Sequence, residues 1–170
     1  MVTQSRLKEL LDYDPDTGVF RWRPDLNRRG IRSGHVAGSP NRDGYIQITI
    51  DRVKYLAHRL AFLWMNGKWP ENDVDHRNRD VSDNRWLNLR DATRSENLKN
   101  TLSREGSSSK YKGVHWNSGK CKWVVQVIID GKNVKCGSFN VEEDAAIVYD
   151  ALAKKYYGEF AALNFGDNHD

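Results

Sequence analysis

Cysteine is scarce in this sequence, which has only Cys121 and Cys136 among its 170 residues. Two cysteines are too few for a disulfide framework. Because they do not form a Cys-x-x-Cys pair, a structural zinc site with thiolate ligands is also excluded. Long apolar runs are also absent, because no stretch reaches the roughly 20 apolar residues of a membrane-spanning helix. The N-terminal residues carry charges inside their apolar stretch and lack the core of a secretory signal. We therefore expect a cytoplasmic protein with no membrane partner.

Charge is unevenly distributed along the chain, whose formal net charge is +4. Residues 107–140 contain six lysines and arginines against one acidic residue, a net charge of +5. Residues 141–170 contain two against seven, a net charge of −5. A basic stretch followed by an acidic one predicts one face for phosphates and one for solvent, which suits a polyanionic partner such as double-stranded DNA.

A Gly/Ser-rich stretch beginning near Arg104 divides the sequence, because such stretches seldom lie inside packed elements. We predict a first module over residues 1–104, a linker over 105–110 and a second module over 111–165. The first module is expected to fold and cleave without the second.

Periodicity predicts the elements of the first module. Leucines at helical spacing indicate a short helix over residues 5–11. Alternating apolar and polar residues indicate strands over 19–22 and 45–50, the latter returning as a hairpin over 51–55. All-round apolar character indicates a buried helix over 57–65.

The second module has a different rhythm. Residues 111–116, 122–130 and 133–139 alternate as strands, with Gly-containing turns between them. A helix with an acidic first turn follows, with Asn140 as the expected cap and Gly158 as its end. The sequence therefore predicts the α+β class, with a three-stranded antiparallel sheet packed on one helix.

Four polar residues of the first module form the candidate site. Asp75 and His76 are expected to end a strand, and residues 87–89 to form its antiparallel partner after a polar loop. Asn97 falls on a short helix capped by Thr93 or Ser95. The order strand, loop, strand, helix lets Asp75, His76, Asn88 and Asn97 converge.

This segment resembles the HNH nucleases, in the variant of phage and intron-encoded homing endonucleases. Residues 57–61 and 11–18 are also similar to phage members of that family. The resemblance implies a ββα-metal (His-Me finger) core over about residues 73–101. It makes His76 the general base, with Asn88 orienting its ring, and it makes Asp75 and Asn97 the ligands of one divalent metal.

The sequence departs from the most familiar HNH pattern, because its last position is Asn97 rather than histidine. Oxygen ligands favour Mg²⁺ or Mn²⁺ over a softer metal. In the loop, Arg77 and Arg79 are expected to contact DNA. Asn84 is read as a turn residue, and His58 as a hydrogen-bonded core histidine.

Residues 111–165 resemble the plant ethylene-response-factor (AP-two) DNA-binding domain. The likeness rests on residues 111–116 and 122–127, on the turn before the helix, and on the helix itself. It implies that the sheet lies in the major groove, with Gln126 suited to adenine. Trp116 is balanced between packing and DNA contact. The residues in the DNA-contacting positions are Lys112, His115, Trp116, Asn117, Gln126 and Lys135.

Together these observations predict a monomeric, metal-dependent homing-type endonuclease that nicks one strand per binding event. Two alternatives stay open. One is a sequence-specific DNA-binding regulator with a non-catalytic HNH fold. The other is a phage recombination or packaging nuclease that acts with a partner.

Overall fold

The computed structural model describes residues 1–23, 34–103 and 105–166. The chain divides into two compact units, Met1–Arg94 and Ser95–Asp170. That division falls inside the predicted first module, at the start of the helix that carries Asn97, whereas Arg104 lies outside the described residues. None of the helices in the described ranges is both long and apolar enough to cross a bilayer.

The first unit opens with helix α1 (Gln4–Leu10), whose start is capped by the Thr3 hydroxyl accepting a hydrogen bond from the Arg6 amide. Strands β1 (Leu11–Asp14) and β2 (Val19–Trp22) follow as an antiparallel hairpin. The predicted helix and the predicted 19–22 strand are therefore both present.

A second sheet follows in the order β3 (Ser39–Pro40), β4 (Ile46–Ile50) and β5 (Val53–Leu56), with antiparallel pairing throughout. The β4–β5 hairpin confirms the pairing that alternation predicted. Helix α2 (Ala57–Asn66) continues directly from β5 and ends at Gly67, which has the left-handed conformation that glycine adopts without strain.

The candidate segment forms strand β6 (Asp73–His76), an antiparallel partner β7 (Leu89–Ala92) and helix α3 (Arg94–Lys99). The expected strand over residues 87–89 is wrong, because Trp86–Asn88 forms a 3₁₀ turn in which the Asn88 amide bonds to the Arg85 carbonyl. Pairing begins only at Leu89.

One apolar cluster holds the first unit together and draws on both helices and all its longer strands. Removing this apolar surface from water is the main term that stabilises the unit. Its fully buried members include Leu7, Leu10, Leu11, Phe20, Ile48, Ile50 and Leu60.

The second unit contains strands β8 (Val114–Asn117), β9 (Lys122–Ile129) and β10 (Lys132–Phe139), in the antiparallel order β10-β9-β8. Helix α4 (Glu142–Tyr157) covers one face of this sheet. The predicted α+β fold, with three antiparallel strands on one helix, is confirmed.

Small residues allow α4 to lie close to the sheet. Ala145, Ala146 and Ala153 are completely buried against sheet residues such as Val125. The expected helix cap at Asn140 is wrong: Val141 occupies the cap position and gives no side-chain hydrogen bond.

Candidate active site

The β6–β7 hairpin places Asp75 directly opposite Arg90. The Arg90 guanidinium meets Asp75 Oδ2 through Nη2 at 2.6 Å and through Nε at 2.8 Å. Both side chains are buried. A buried carboxylate is costly unless a cation compensates it, and Arg90 places a guanidinium directly against Asp75 at this depth.

His76 ends β6 beside this ion pair and is only 4 % exposed. Burial lowers the pKa of its imidazole, although the neighbouring Asn84 side chain and the Asp75 carboxylate act in the opposite direction. A lowered pKa keeps the ring neutral near pH 7, and a neutral imidazole can accept a proton. Asn84, itself buried, thus lies beside the imidazole rather than only shaping the turn.

Two further rings surround His76. The His58 ring lies edge-on to it, with 5.0 Å between centroids and 90° between planes. Tyr45 contacts both histidines, at 5.3 Å from His58 and 6.0 Å from His76. His58 was expected to be a hydrogen-bonded core residue; it is buried, but its Nδ1 has no hydrogen-bond partner among the described residues.

Asn88 organises the loop between the two strands. Its Oδ1 accepts a hydrogen bond from the Asn78 amide at 2.9 Å, and its Nδ2 donates to the Asp83 carbonyl at 2.8 Å. The resemblance gave Asn88 the task of orienting the His76 ring. In the structure its side-chain amide binds the loop backbone at both of these positions.

Arg77 and Arg79 lie in the first residues of this loop, directly after the imidazole. Both are half-buried. The Arg77 amide donates to the Asn88 carbonyl, and the Arg79 amide donates to the His76 carbonyl, each at 2.9 Å. The backbone therefore holds both arginines close to the end of β6, where positive charge can attract phosphate.

The β1–β2 hairpin contacts the loop between β6 and β7. The Tyr13 hydroxyl donates to the Asn84 carbonyl at 2.7 Å, and the Trp86 amide donates to the Pro15 carbonyl at 2.8 Å. Gly18 approaches so closely that an added Cβ would lie 2.4 Å from the Asn84 and Arg85 backbone. This close approach is a physical reason for glycine at position 18 of the 11–18 segment.

Asn97 lies half-buried on α3, which belongs to the second unit except for its first residue. Ser95, proposed as an alternative cap, is inside that helix. No cluster of three or more His, Cys, Asp or Glu side chains able to hold a metal occurs within the described residues. Asp75 and Asn97 offer a carboxylate and an amide oxygen, which are the ligand types that a hard cation prefers.

Four of the predicted DNA contacts of the second unit share one face of its sheet. Directly paired residues of antiparallel strands point to the same side. Gln126 pairs with Lys135, while His115 pairs with Val124 and Asn117 with Lys122. On β9, Val124 and Gln126 flank Val125, which is packed in the core that faces α4. These two residues and their partners on β8 and β10 therefore point to the opposite side of the sheet. His115, Asn117, Gln126 and Lys135 thus lie on the face of the sheet that is turned away from α4, here called the open face, which also carries the buried Val124.

Trp116 and Lys112 do not belong to this open face. Trp116 pairs with Trp123 on the α4-facing side, and the two rings meet at 5.0 Å. Lys112 precedes β8, and its ammonium group donates to the Leu98 and Lys99 carbonyls at the end of α3. Trp116 thus contacts Trp123 but keeps 41% of its surface exposed, and the Lys112 ammonium group bonds to the end of α3.

Comparison with known proteins addresses the first unit most directly. A family model described as HNH endonuclease matches residues 55–99, which include α2, the β6–β7 hairpin and α3. Residues 55–99 are therefore similar to the HNH endonuclease family. The matched residues contain Asp75, His76, Asn88 and Asn97, in the order that the sequence analysis described.

Two curated relatives extend the comparison. An HNH endonuclease of Acanthamoeba polyphaga mimivirus is 33% identical over 125 residues, covering 72% of this chain and 64% of that protein. An AP2/ERF and B3 domain-containing transcription repressor of Arabidopsis thaliana is 40% identical over 76 residues, covering 45% of this chain and 21% of that protein. The chain thus spans less than two thirds of either relative.

Among solved structures, a similar chain comes from the study of DNA binding and cleavage by the HNH homing endonuclease I-HmuI. It is 21% identical, with a TM-score of 0.43, and the match covers 75% of this chain and 71% of that one.

Three residues that surround Asp75 and His76 were not predicted from the sequence to belong to the site. Arg90 could have been found from hairpin register, because a strand ending at His76 and a partner beginning at Leu89 place it opposite Asp75. His58 carried a weaker signal, a histidine within an otherwise apolar helix. Tyr45 carried none, since its contact with both histidines depends on how three elements pack.

Proposed function

We propose that this protein is a metal-dependent DNA endonuclease of the homing type, which hydrolyses one phosphodiester and nicks one strand per binding event. The observation that carries the proposal is the buried His76, whose pKa is lowered by burial, placed directly after Asp75 at the end of β6. Hydrolysis needs a base at neutral pH beside a site for charge neutralisation, and this pair provides both in adjacent residues.

In the proposed reaction His76 accepts the proton of the attacking water. The water oxygen forms a bond to phosphorus, and the ester P–O bond breaks with its electrons going to the leaving oxygen. Burial supports this role because it lowers the imidazole pKa and leaves the ring able to take a proton. Asn84 and His58 restrict the ring from two sides.

Asp75 and Asn97 would hold one divalent cation, Mg²⁺ or Mn²⁺, through oxygen atoms. The cation would supply charge neutralisation at the phosphate and the leaving oxygen. Arg90 holds the Asp75 carboxylate by Oδ2 and fixes its direction. HNH nucleases in general use a divalent metal, which supports the assignment.

The loop after β6 contributes positioning. Asn88 ties the loop backbone at Asn78 and Asp83, so the half-buried Arg77 and Arg79 have fixed starting points. Their guanidinium groups would contact the phosphates that flank the cleaved bond, where bidentate hydrogen bonding is favoured.

The second unit would add affinity and site choice as an AP-two-like DNA-binding module. The open face of its sheet supports this, because His115, Asn117, Gln126 and Lys135 can reach base edges or phosphates together. The acidic residues of α4 lie on the other side. The relative from Arabidopsis thaliana supports the same role.

A supercoiled-plasmid assay tests the nuclease directly. The wild-type chain should convert supercoiled DNA to open circles with Mg²⁺ and leave it unchanged with EDTA. His76→Ala should slow this conversion ~10²–10⁴-fold, the usual cost of losing a general base, with DNA binding retained. His35→Ala is the matched control, because His35 is exposed and lies outside the HNH domain.

The alternative functions give different outcomes in the same assay. A DNA-binding regulator would shift DNA in a gel but leave the plasmid supercoiled under all metal conditions. Linear product appearing without an open-circle intermediate would contradict single-strand nicking. Activity that appears only with an added host or phage protein would support the partner-dependent nuclease.

A further inference from the structure

We infer that Lys112 is a positioning residue for the helix that carries Asn97 rather than a DNA contact, and that the sheet and helix α4 hold Lys112 for this role. The inference rests on the proposed role of Asn97 as a metal ligand. It extends the role of Lys112 from DNA reading to the positioning of a proposed metal ligand.

Helix α3 cannot hold itself in place. It has six residues, Arg94–Lys99, and none of them is buried. Isolated helices shorter than about 12 residues are marginal in water, and this one has no buried apolar face to compensate. Bonds at its ends therefore contribute to its position.

The second unit supplies those bonds at the C-terminal end. The Lys112 ammonium group donates to the Leu98 carbonyl at 3.4 Å and also to the Lys99 carbonyl. A lysine at this end satisfies carbonyls that have no intrahelical partner and complements the helix dipole. Both acceptors lie within two residues of Asn97.

Two more contacts fix the same end. The Ala162 amide donates to the Lys99 carbonyl at 3.3 Å. The Lys99 ammonium group lies 5.3 Å above the centre of the Tyr157 ring, within the range of a cation–π interaction. These residues belong to the end of α4 and the segment after it, so the end of α3 is attached to the core of the second unit.

Lys112 is itself fixed by its backbone. Its amide donates to Asn164 Oδ1 at 2.7 Å, and its carbonyl accepts from Asn164 Nδ2 at 3.2 Å. The Asn164 amide in turn donates to the buried Asp150 carboxylate of α4 at 2.8 Å. This chain of hydrogen bonds links α4 through Lys112 to the turn of α3 that contains Asn97.

The contacts oppose the expectation that the first module cleaves without the second. Removing residues 105–170 would remove the Lys112, Ala162 and Tyr157 contacts at once and leave a six-residue helix without these bonds at its C-terminal end. The metal site would then lose the fixed position of Asn97.

The test uses the full-length chain with Lys112→Met, Lys112→Arg and the matched control Lys135→Met, which removes the same charge from the open face of the sheet. Amide hydrogen exchange without metal reports on residues 95–101, and calorimetry with Mn²⁺ reports on the metal site. Filter binding in EDTA at several salt concentrations reports on DNA contact. Circular dichroism checks that each variant is folded.

Lys112→Met should speed exchange at Asn100 and Thr101 roughly tenfold, as expected for the loss of a charge-assisted hydrogen bond. It should weaken Mn²⁺ binding about tenfold, within the range for lost outer-shell partners. Its salt slope should match wild type, whereas Lys135→Met should lower the slope by about 0.9 and leave exchange and Mn²⁺ binding unchanged. Lys112→Arg should restore the wild-type exchange rate and the wild-type Mn²⁺ affinity. In an Asn97→Ala background, Lys112→Met should no longer change Mn²⁺ affinity.

The inference is overturned if Lys112→Met keeps wild-type exchange over residues 95–101, or if it lowers the salt slope as Lys135→Met does. A wild-type chain that binds no Mn²⁺ would instead contradict the proposed metal ligands. In that case the exchange measurement still decides whether Lys112 holds α3.

Discussion

The imidazole rings of His58 and His76 meet edge to face in the interior of the first unit, 5.0 Å apart and perpendicular. Both side chains are about 95% buried, so a proton on either ring would be poorly solvated and would repel a proton on the other. Burial, followed by repulsion from His76 and Arg59, lowers the pKa of His58 to about 3. The environment of the two rings therefore favours the neutral form of both histidines.

This pair should make stability depend on pH. A histidine whose pKa falls on folding binds its proton more readily in the unfolded chain. The free energy of unfolding should therefore decrease as pH falls below about 6.5, and it should continue to decrease towards the lowered folded-state pKa. For His58 this amounts to about 2–3 kcal/mol between pH 7.5 and 4.5.

Urea denaturation of wild type and His58→Phe at these two pH values measures the effect. The phenylalanine variant should lose about 2–3 kcal/mol less stability on acidification than wild type. His35→Gln should behave as wild type, because that side chain is exposed. Equal acid sensitivity of His58→Phe and wild type would show that His58 does not contribute.

Asp75 and Arg90 should be coupled in stability. Asp75→Ala should reduce the free energy of unfolding by about 3–5 kcal/mol, because it leaves a buried guanidinium without this carboxylate. The double variant Asp75→Ala/Arg90→Met should recover most of the loss, since no buried charge then remains. A double-mutant cycle by urea denaturation measures the coupling, and additive losses would contradict it.

Gly18 should tolerate a side chain less well than Gly34. Both have φ values of the left-handed region, +72° and +75°, so alanine costs about 1–2 kcal/mol at either position. Only at Gly18 would the added Cβ also meet the Asn84 and Arg85 backbone. Gly18→Ala should therefore lose about 1–3 kcal/mol more than Gly34→Ala in thermal unfolding. It should also slow plasmid nicking, because the loop beside His76 must shift.

Gln126 and Lys135 should affect DNA binding in different ways. Gln126→Ala should weaken binding to the preferred site by about 1–3 kcal/mol and leave non-specific binding unchanged, as expected for a base-edge contact. Lys135→Ala should weaken both and lower the log–log salt slope by about 0.9. Lys154→Ala, on the exposed surface of α4, is the control. Identical salt slopes for all three variants would contradict a DNA-contacting sheet.

Local patterns were sufficient for most of the fold. Alternation located the β4–β5 hairpin and the β9 and β10 strands, and all-round apolar character located α2, because these patterns reflect burial within single elements. Element ends were less predictable. The 3₁₀ turn at Trp86–Asn88 and the Val141 cap depend on backbone hydrogen bonds that several local sequences can form equally well.

The order of Asp75, His76, Asn88 and Asn97 was readable from the sequence by itself, because residue type and spacing determine which donors, acceptors and bases a strand–loop–strand–helix segment can offer. What surrounds them was decided by tertiary structure. Arg90 faces Asp75 through strand pairing, His58 reaches His76 through the packing of α2, and Lys112 reaches α3 over a sequence separation of 13 residues. Such long-range contacts depend on how separate elements meet, and no local pattern encodes that.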